Sequence, residues 1–334
     1  MMPHAILVVG AGSWGTALAI LLSRNGHKVT LWGRDQAHVQ SMQMLRTNQR
    51  YLPDAIFPEE LHPDSSITQY LSTIQDLVIA VPSHSFSSIL ETIRPYLTKS
   101  HRLCWATKGL EEDSQQLLHQ VVEQHLGQQH ATAVLSGPSF AKEVANNLPT
   151  AVTIASPNES YSTELAALFH SDTFRVYTSQ DMVGVQIGGA CKNVIAIAAG
   201  IADGLGFGAN TRAALITRGL AEITRLGVAL GGQMPTFLGL AGLGDLVLTC
   251  TDDQSRNRRF GRLLANSKSP EEAKVIIGQV VEGATAASQV LALARKHNVE
   301  MPISEQVANM LAGHCTPAQA VHALLSRELK PEGT

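Results

Sequence analysis

GAGSWG at residues 10–15 directly follows the apolar run ILVV at residues 6–9 and precedes the helix-forming stretch TALAILL at residues 16–22. In a G-x-G-x-x-G turn, the first glycine permits a tight turn and the second lets backbone amides approach a pyrophosphate. The third allows close packing of helix and strand. A lone motif of this kind is weak evidence, since an incidental glycine turn has the same letters. Here a second strand-like run, KVTLW, follows at residues 28–32, so the context predicts that Gly10, Gly12 and Gly15 bind a dinucleotide.

Strand-like and helix-like segments alternate through the first half of the chain. Short apolar or β-branched runs lie at residues 6–9, 28–32, 77–81, 102–106, 133–135, 150–155 and 174–177, with a helical segment near 159–170. This alternation is typical of a parallel sheet covered by helices. From Asp181 onward the chain is rich in Ala, Leu, Ile and Gly at helical spacing. We therefore predict an α/β protein with a doubly wound Rossmann sheet in residues 1–183 and an all-helical domain in residues 184–334.

The composition argues against several classes of protein. The net charge is -3 over 334 residues, so there is no basic excess that would favour a nucleic-acid partner. No signal peptide is recognisable and no apolar segment reaches the roughly 18 residues that span a bilayer, so membrane insertion is not expected. The four cysteines are widely scattered without C-x-x-C spacing, which favours a reducing cytoplasm. The 13 histidines show no ligand spacing, and no metal is predicted.

The residues after the second strand bear on the choice of dinucleotide. A flavin dinucleotide usually needs an acidic residue at this point to hold the ribose, but the stretch reads Trp32-Gly33-Arg34. A guanidinium at Arg34 favours the 2′-phosphate of NADP. The neighbouring Asp35 is able to reach a ribose hydroxyl, and an exposed arginine without a ligand is the alternative role for Arg34. NADP and NAD are both predicted as cofactors.

Polar residues at the carboxyl ends of later strands are candidates for ligand binding, because ligands gather at this edge of an open α/β sheet. Lys108 follows the run at residues 102–106, with a solvated loop lysine as the alternative. Gly137 and Ser139 follow the run at residues 133–135. They are able to offer backbone amides and a hydroxyl to an anion, although a plain helix N-cap at Ser139 explains the pattern equally well.

Lys192 lies in an apolar helical stretch, where an idle ammonium is costly. Its neighbours on the same helix face include Gly188 and Gly189, which leave space for something other than side chains. A partly desolvated lysine is a capable proton donor and acceptor, whereas a lysine that extends to the surface is the alternative. Asp245 lies in a similar glycine-rich and apolar setting, and we predict it as the carboxylate partner, with a helix N-cap as its alternative role.

Ser255, Arg256 and Asn257 open a polar segment that concentrates phosphate-binding groups. A guanidinium flanked by a hydroxyl and an amide is suited to a phosphate dianion. The following Arg258 and Arg259 need not take part, and a solvated basic helix face is the alternative for both.

The sequence resembles the bacterial NAD(P)-dependent glycerol-3-phosphate dehydrogenase family over essentially its whole length. The matching motifs are GAGSWGTALA at 10–19, ATKGL at 106–110, LSGPSFA at 135–141, CKNVIAIAAG at 191–200, GLGDLVLTC at 242–250 and SRNRRFG at 255–261. The resemblance implies an oxidoreductase that interconverts dihydroxyacetone phosphate and sn-glycerol 3-phosphate. It also implies a role in phospholipid synthesis and lipid metabolism, and a homodimer.

The resemblance further implies roles for individual residues. Lys192 would be the catalytic acid and base, with Asp245 beside it. The implied substrate contacts are Lys108, Gly137, Ser139, Lys192, Asp245, Ser255, Arg256 and Asn257. The implied cofactor contacts are Ser13, Trp14, Arg34, Lys108, Ala141, Arg256, Val280 and Glu282, of which Val280 and Glu282 rest on the resemblance alone.

Two alternatives remain open from the sequence. A dehydrogenase of similar architecture that acts on a 3-hydroxy acid or a keto acid would turn over a substrate without phosphate, and the polar cluster at residues 255–257 argues against it. A non-catalytic dinucleotide sensor would bind NADPH but would need no buried Lys192.

Overall fold

The computed structural model describes residues 3–327, which divide into two compact units. The first unit contains the described residues up to Glu111 together with Leu118–Met182. The second contains Glu112–Leu117 and the described residues from Val183 onward.

The first unit is built on an eight-stranded sheet in the order β10-β9-β8-β7-β6-β1-β2-β5. Among the described residues its strands, including the separate antiparallel pair β3-β4, are β1 (Ala5–Val9), β2 (Lys28–Trp32), β3 (Thr47–Asn48), β4 (Leu52–Ile56), β5 (Leu61–Asp64), β6 (Asp76–Ile79), β7 (Arg102–Trp105), β8 (Ala131–Ser136), β9 (Thr150–Ala155) and β10 (Phe174–Ser179). The four residues Ile6 to Val9 of the central strand β1 are buried. Because both faces of this strand are buried, its sequence is continuously apolar and does not alternate with polar residues.

Helices cover this sheet and complete the core of the first unit. They are α1 (Ser13–Arg24), α2 (Gln36–Leu45), α3 (Phe86–Ile93), α4 (Leu118–Leu126), α5 (Ala141–Ala145) and α6 (Glu159–Phe169), with 3-10 turns at Thr68–Tyr70, Ser83–Ser85 and Arg94–Tyr96. The buried face of α1 includes every residue from Gly15 to Ser23. Short α5 packs against α1.

The predicted fold class is confirmed, but the sheet is not wholly parallel. β8 and β9 pair in antiparallel register, and β10 runs parallel to β9. The segment between β8 and β9 carries only the short α5, whereas a parallel connection usually needs a longer crossover. The sequence also gave no signal for β5 or for the pair β3-β4, because Pro63 interrupts β5 at the sheet edge and β3 has only two residues.

Helices make up the regular structure of the second unit within the described residues. They are α7 (Met182–Gly204), α8 (Ala209–Ala229), α9 (Met234–Leu238), α10 (Asp245–Thr251), α11 (Arg256–Ala265), α12 (Pro270–Ile277), α13 (Glu282–Lys296), α14 (Pro302–Leu311) and α15 (Pro317–Leu325), with a π-helical turn at Leu240–Gly244 before α10.

Helix α7 corrects one expectation from the sequence. Its 23 residues are long and apolar enough to cross a membrane, although no such segment was predicted. However, 94% of its most apolar window is buried inside the protein. The apolar residues of α7 therefore form protein core, as in the central helix of a soluble domain.

Candidate active site

The glycine-rich turn has the backbone geometry that its sequence predicts. Gly10 adopts a φ of +120°, and a side chain there would press on the backbone of Ala80 in the neighbouring segment after β6. A Cβ at Gly15 would collide with the carbonyl oxygen of Gly10. Only glycine allows both this turn and the close packing of α1 on β1.

The start of α1 fits a bound dinucleotide. Its N-cap is Gly12, so no side chain caps the first amide groups of the helix, and a Cβ at Gly12 would meet no atom within 4 Å. Uncapped amides at a helix N-terminus attract the phosphates of such a cofactor. The indole Nε1 of Trp14 is buried and has no hydrogen-bond partner among the described residues.

The other predicted cofactor residues of the first unit lie around this turn. Ser13 begins α1, and its hydroxyl donates to the carbonyl oxygen of Tyr51 at 3.3 Å. Arg34 is exposed just beyond the carboxyl end of β2. Ala141 begins α5, which packs against α1.

The structure brings Lys108, Gly137 and Ser139 together. Lys108 Nζ donates to the carbonyl oxygen of Gly137 at 3.3 Å, and Ser139 Oγ donates to the same oxygen at 3.0 Å. The N-cap alternative for Ser139 is wrong, because the N-cap of α5 is Phe140. These three residues follow β7 and β8, at the edge of the sheet where ligands of open α/β folds bind.

Lys192 and Asp245 form a buried ion pair in the second unit. Lys192 Nζ donates to Asp245 Oδ1 and, at 2.9 Å, to Thr249 Oγ1. Lys192 is 7% exposed and Asp245 is 1% exposed, so neither charge lies at the surface. The hydroxyl of Thr249 donates in turn to the backbone oxygen of Asp245 at 2.6 Å. An ammonium held in this way is fixed in position and partly removed from water.

The glycines next to Lys192 explain how this pair forms. A Cβ at Gly188, one helical turn before the lysine, would collide with the carbonyl oxygen of Ala241 in the π-helical turn. The backbone of the π-helical turn Leu240–Gly244 thus packs against the small-residue face of α7 at Gly188. This close packing places the next residue, Asp245, beside Lys192. The N-cap alternative for Asp245 is also wrong, because Gly244 is the N-cap of α10 and Asp245 is its first residue.

The N-terminus of α11 joins α7 and α13. Ser255 is its N-cap and accepts from the backbone N–H of Arg258 at 3.2 Å. Asn257 Nδ2 donates to Asn193 Oδ1 at 2.9 Å, and its Oδ1 accepts from the N–H of Gly283 at 2.9 Å. Asn193 directly follows Lys192 in α7, so Asn257 is linked to the helix that carries the candidate catalytic lysine.

Arg258 is not part of a solvated basic face, contrary to one alternative from the sequence. Its side chain is 9% exposed, and Nε and Nη2 contact Asp203 Oδ2 at 2.9 and 2.6 Å. Nη1 donates to Asp253. Arg259 is exposed, as that alternative expected. Since Asp203 lies at the end of α7, the buried pair fixes α11 against α7.

We expect Arg258→Ala to lower the free energy of unfolding by roughly 2–3 kcal/mol, because a buried carboxylate loses its main partner. The loss is expected to stay below the largest values for buried pairs, since Arg212 also contacts Asp203. The control Arg259→Ala, on the exposed face, should change stability by less than about 0.5 kcal/mol. Urea unfolding of the two variants measures the difference, and equal midpoints would contradict the structural role of Arg258.

Two further residues of this cluster were missed by the sequence analysis. Thr249 lies four residues after Asp245, so the spacing on α10 would have placed it on the same helix face. Asn193 also donates to Glu282 Oε2 at 3.3 Å, which ties the first residue of α13 to α7. Val280 is exposed in the loop before α13.

Comparison with known proteins decides the family. The family descriptions "NAD-dependent glycerol-3-phosphate dehydrogenase N-terminus" and "C-terminus" match residues 5–162 and 181–322. A glycerol-3-phosphate dehydrogenase [NAD(P)+] of Bartonella henselae is 54% identical over 332 residues, covering 98% of each chain. The chain belongs to the NAD(P)-dependent glycerol-3-phosphate dehydrogenase family. A Haemophilus influenzae member is 55% identical over 328 residues, again with 98% of each chain covered.

A solved structure of the family agrees with this assignment. The crystal structure of glycerol-3-phosphate dehydrogenase from Coxiella burnetii matches 97% of this chain and 99% of its own at a TM-score of 0.95 and 50% identity. The family predicted from the motifs is therefore confirmed, and the chain is an NAD(P)-dependent oxidoreductase.

Proposed function

We propose that this chain interconverts dihydroxyacetone phosphate and sn-glycerol 3-phosphate with NAD(P)H. The observation that carries the proposal is the buried ion pair of Lys192 and Asp245, in a chain whose relatives are named glycerol-3-phosphate dehydrogenases. Burying a lysine and an aspartate costs desolvation free energy, and a protein that only binds a dinucleotide does not require such a pair. The 3-hydroxy acid alternative has no comparable support, since the matching relatives carry the glycerol-3-phosphate name over their full length.

Lys192 is the proposed acid and base of the reaction. Bound NAD(P)H supplies the hydride to the carbonyl carbon of the substrate. Lys192 then donates a proton from Nζ to the carbonyl oxygen as negative charge develops there, and it accepts the proton in the reverse direction. Asp245 and Thr249 accept hydrogen bonds from Nζ and so fix the position of the ammonium group.

The other candidate residues bind substrate and cofactor in this proposal. Arg256 neutralises the substrate phosphate, because a guanidinium binds phosphate oxygens in a bidentate manner. The remaining proposed substrate contacts are Lys108, Gly137 and Ser139 in the first unit and Ser255 and Asn257 in the second. The proposed cofactor contacts are Gly10, Gly12, Ser13, Trp14, Gly15, Arg34, Lys108, Ala141, Arg256, Val280 and Glu282.

The roles of the two domains and the cellular role are proposed from the family to which the chain belongs. Residues 1–183 serve as the dinucleotide-binding domain and residues 184–334 as the substrate and catalytic domain. The glycerol 3-phosphate that the reaction supplies enters phospholipid synthesis. The enzyme works in the cytoplasm as a homodimer.

The test of this proposal is NADPH oxidation with dihydroxyacetone phosphate, run beside unphosphorylated dihydroxyacetone and repeated with NADH. Turnover that requires the phosphate is the expected result. Tight NADPH binding without turnover of dihydroxyacetone phosphate would overturn the proposed substrate. Turnover of a keto acid without phosphate would favour the alternative dehydrogenase.

Arg256→Ala should raise the KM for dihydroxyacetone phosphate about 30-fold or more, which corresponds to about 2 kcal/mol of lost binding to the phosphate. Arg259→Ala is the matched control, because Arg259 is exposed on the same helix. Steady-state kinetics of the two variants measure the effect. An unchanged KM in Arg256→Ala would remove this residue from the phosphate site.

A further inference from the structure

The carboxylate of Asp35 is already engaged at the point where a cofactor ribose would approach. Asp35 is the N-cap of α2, and its Oδ1 accepts from the N–H of His38 at 3.2 Å. Its Oδ2 lies 3.9 Å from Nη1 of Arg50. A carboxylate at this position normally binds the ribose hydroxyls of NAD, and it repels a 2′-phosphate. Here one oxygen caps a helix and the other faces a cation.

Arg50 lies in the segment between β3 and β4. Its guanidinium lies 5.2 Å from the ring centre of Tyr51. The carbonyl oxygen of Tyr51 accepts from Ser13 Oγ in the first turn of α1. Arg50 thus lies on a segment that is hydrogen-bonded to the dinucleotide turn.

Asn48 fixes the base of the same segment. Its Nδ2 donates to the carbonyl oxygen of Ala11 at 3.0 Å and to Thr16 Oγ1 at 2.8 Å. Its Oδ1 accepts from the N–H of Tyr51 at 3.2 Å and lies 2.9 Å from His38 Nε2. Asn48 is fully buried, so these bonds link the segment rigidly to both the glycine-rich turn and α2.

Arg50 is able to turn towards a ligand, whereas a nearby arginine is not. The side chain of Arg50 is 62% exposed and that of Asp35 is 51% exposed, and an ion pair this open is weak. By contrast, Arg46 donates to the carbonyl oxygens of Leu61 and Pro58, and these hydrogen bonds to the backbone hold its guanidinium in place. Arg34, next to Asp35 in the chain, is a second exposed guanidinium.

We propose that Arg50, together with Arg34, binds the 2′-phosphate and makes NADP(H) the preferred cofactor of this chain. Arg50 places a positive charge beside Asp35, which lowers the repulsion of the phosphate, and its guanidinium serves as a phosphate ligand. The inference rests on the proposed dehydrogenase function and names the residue that selects its cofactor.

The test compares two probes that differ only by the 2′-phosphate, 2′,5′-ADP and 5′-AMP. Isothermal titration calorimetry measures the binding of each to the full-length protein. We expect Arg50→Gln to weaken the binding of 2′,5′-ADP about tenfold, typical of one lost charge-assisted contact, and to change that of 5′-AMP less than about twofold. The kcat/KM ratio of NADPH to NADH should fall by the same factor as the 2′,5′-ADP affinity.

Asp35→Asn is the complementary variant, because asparagine is as good an N-cap and carries no charge. It should strengthen the binding of 2′,5′-ADP relative to 5′-AMP. Lys28→Gln is the matched control, since it removes an exposed cation from the opposite end of β2 and should change neither affinity. Equal losses for both probes in Arg50→Gln, or no loss, would overturn the inference. Failure of the unaltered protein to bind either probe or NADPH would instead overturn the proposed function.

Discussion

Replacing Lys192 by alanine is expected to lower kcat by roughly 10²–10⁴-fold, the usual contribution of a positioned acid and base. The ammonium is buried and held by Asp245 and Thr249. A water molecule in its place would be a weaker acid and would be less firmly positioned. NADPH binding should be nearly unchanged, because Lys192 is not among the proposed cofactor contacts. Steady-state kinetics and NADPH fluorescence titration measure the two quantities.

A second substitution separates chemistry from folding in this experiment. Lys192→Ala leaves the Asp245 carboxylate buried beside a cavity, so the folded fraction must be checked by circular dichroism. Lys192→Arg keeps a positive charge near Asp245, but a guanidinium does not release its proton at neutral pH. It should therefore retain more stability than Lys192→Ala and remain as slow. An unaltered kcat in either folded variant would remove Lys192 from the proton-transfer step.

Much of the fold was predictable because the local signals agree with the final architecture. The turn at residues 10–15 and the apolar run before it define β1 and α1 without ambiguity, and the helical periodicity after Asp181 extends through the described part of the second unit. The direction of β9 was not predictable, because an apolar strand has the same composition in parallel and antiparallel pairs. The strand β5, with a proline in four residues, depends on β2 for its pairing and carries no signal of its own.

The sequence identified many residues of the candidate site, but it did not show which of them contact one another. Lys192 and Asp245 each looked misplaced in an apolar setting, and burial of a charge demands a partner, so their pairing followed from chemistry. Arg258 gave no such signal, because its partner Asp203 lies 55 residues away on another helix and the surrounding arginines suggested a solvated face. The engagement of Asp35 by Arg50 likewise depends on a segment folding back onto α2, which no local pattern reveals.

Asp245→Ala is expected to cost about 3–5 kcal/mol of the free energy of unfolding, the typical result of removing one member of a buried ion pair. The carboxyl is 1% exposed, and its removal takes the carboxylate of this ion pair away from the buried Lys192 ammonium. Urea unfolding measures the loss. Asp252→Ala, a nearby substitution at a less buried carboxylate after α10, should cost much less.

The cause of that loss is tested by removing both charges at once. If the destabilisation of Asp245→Ala comes from an ammonium without its carboxylate partner, the double variant Lys192→Met with Asp245→Ala should recover a large part of it, because neither charge of this pair then remains. Simple packing loss at Asp245 predicts the opposite, since the double variant would be at least as unstable as the single one. The single variant lacks the carboxylate that holds Lys192 and the double variant lacks both residues, so both should turn over dihydroxyacetone phosphate more slowly than the unaltered protein. Recovery of stability without recovery of activity would therefore mean that the chain retains this ion pair for its chemistry at a cost in folding free energy.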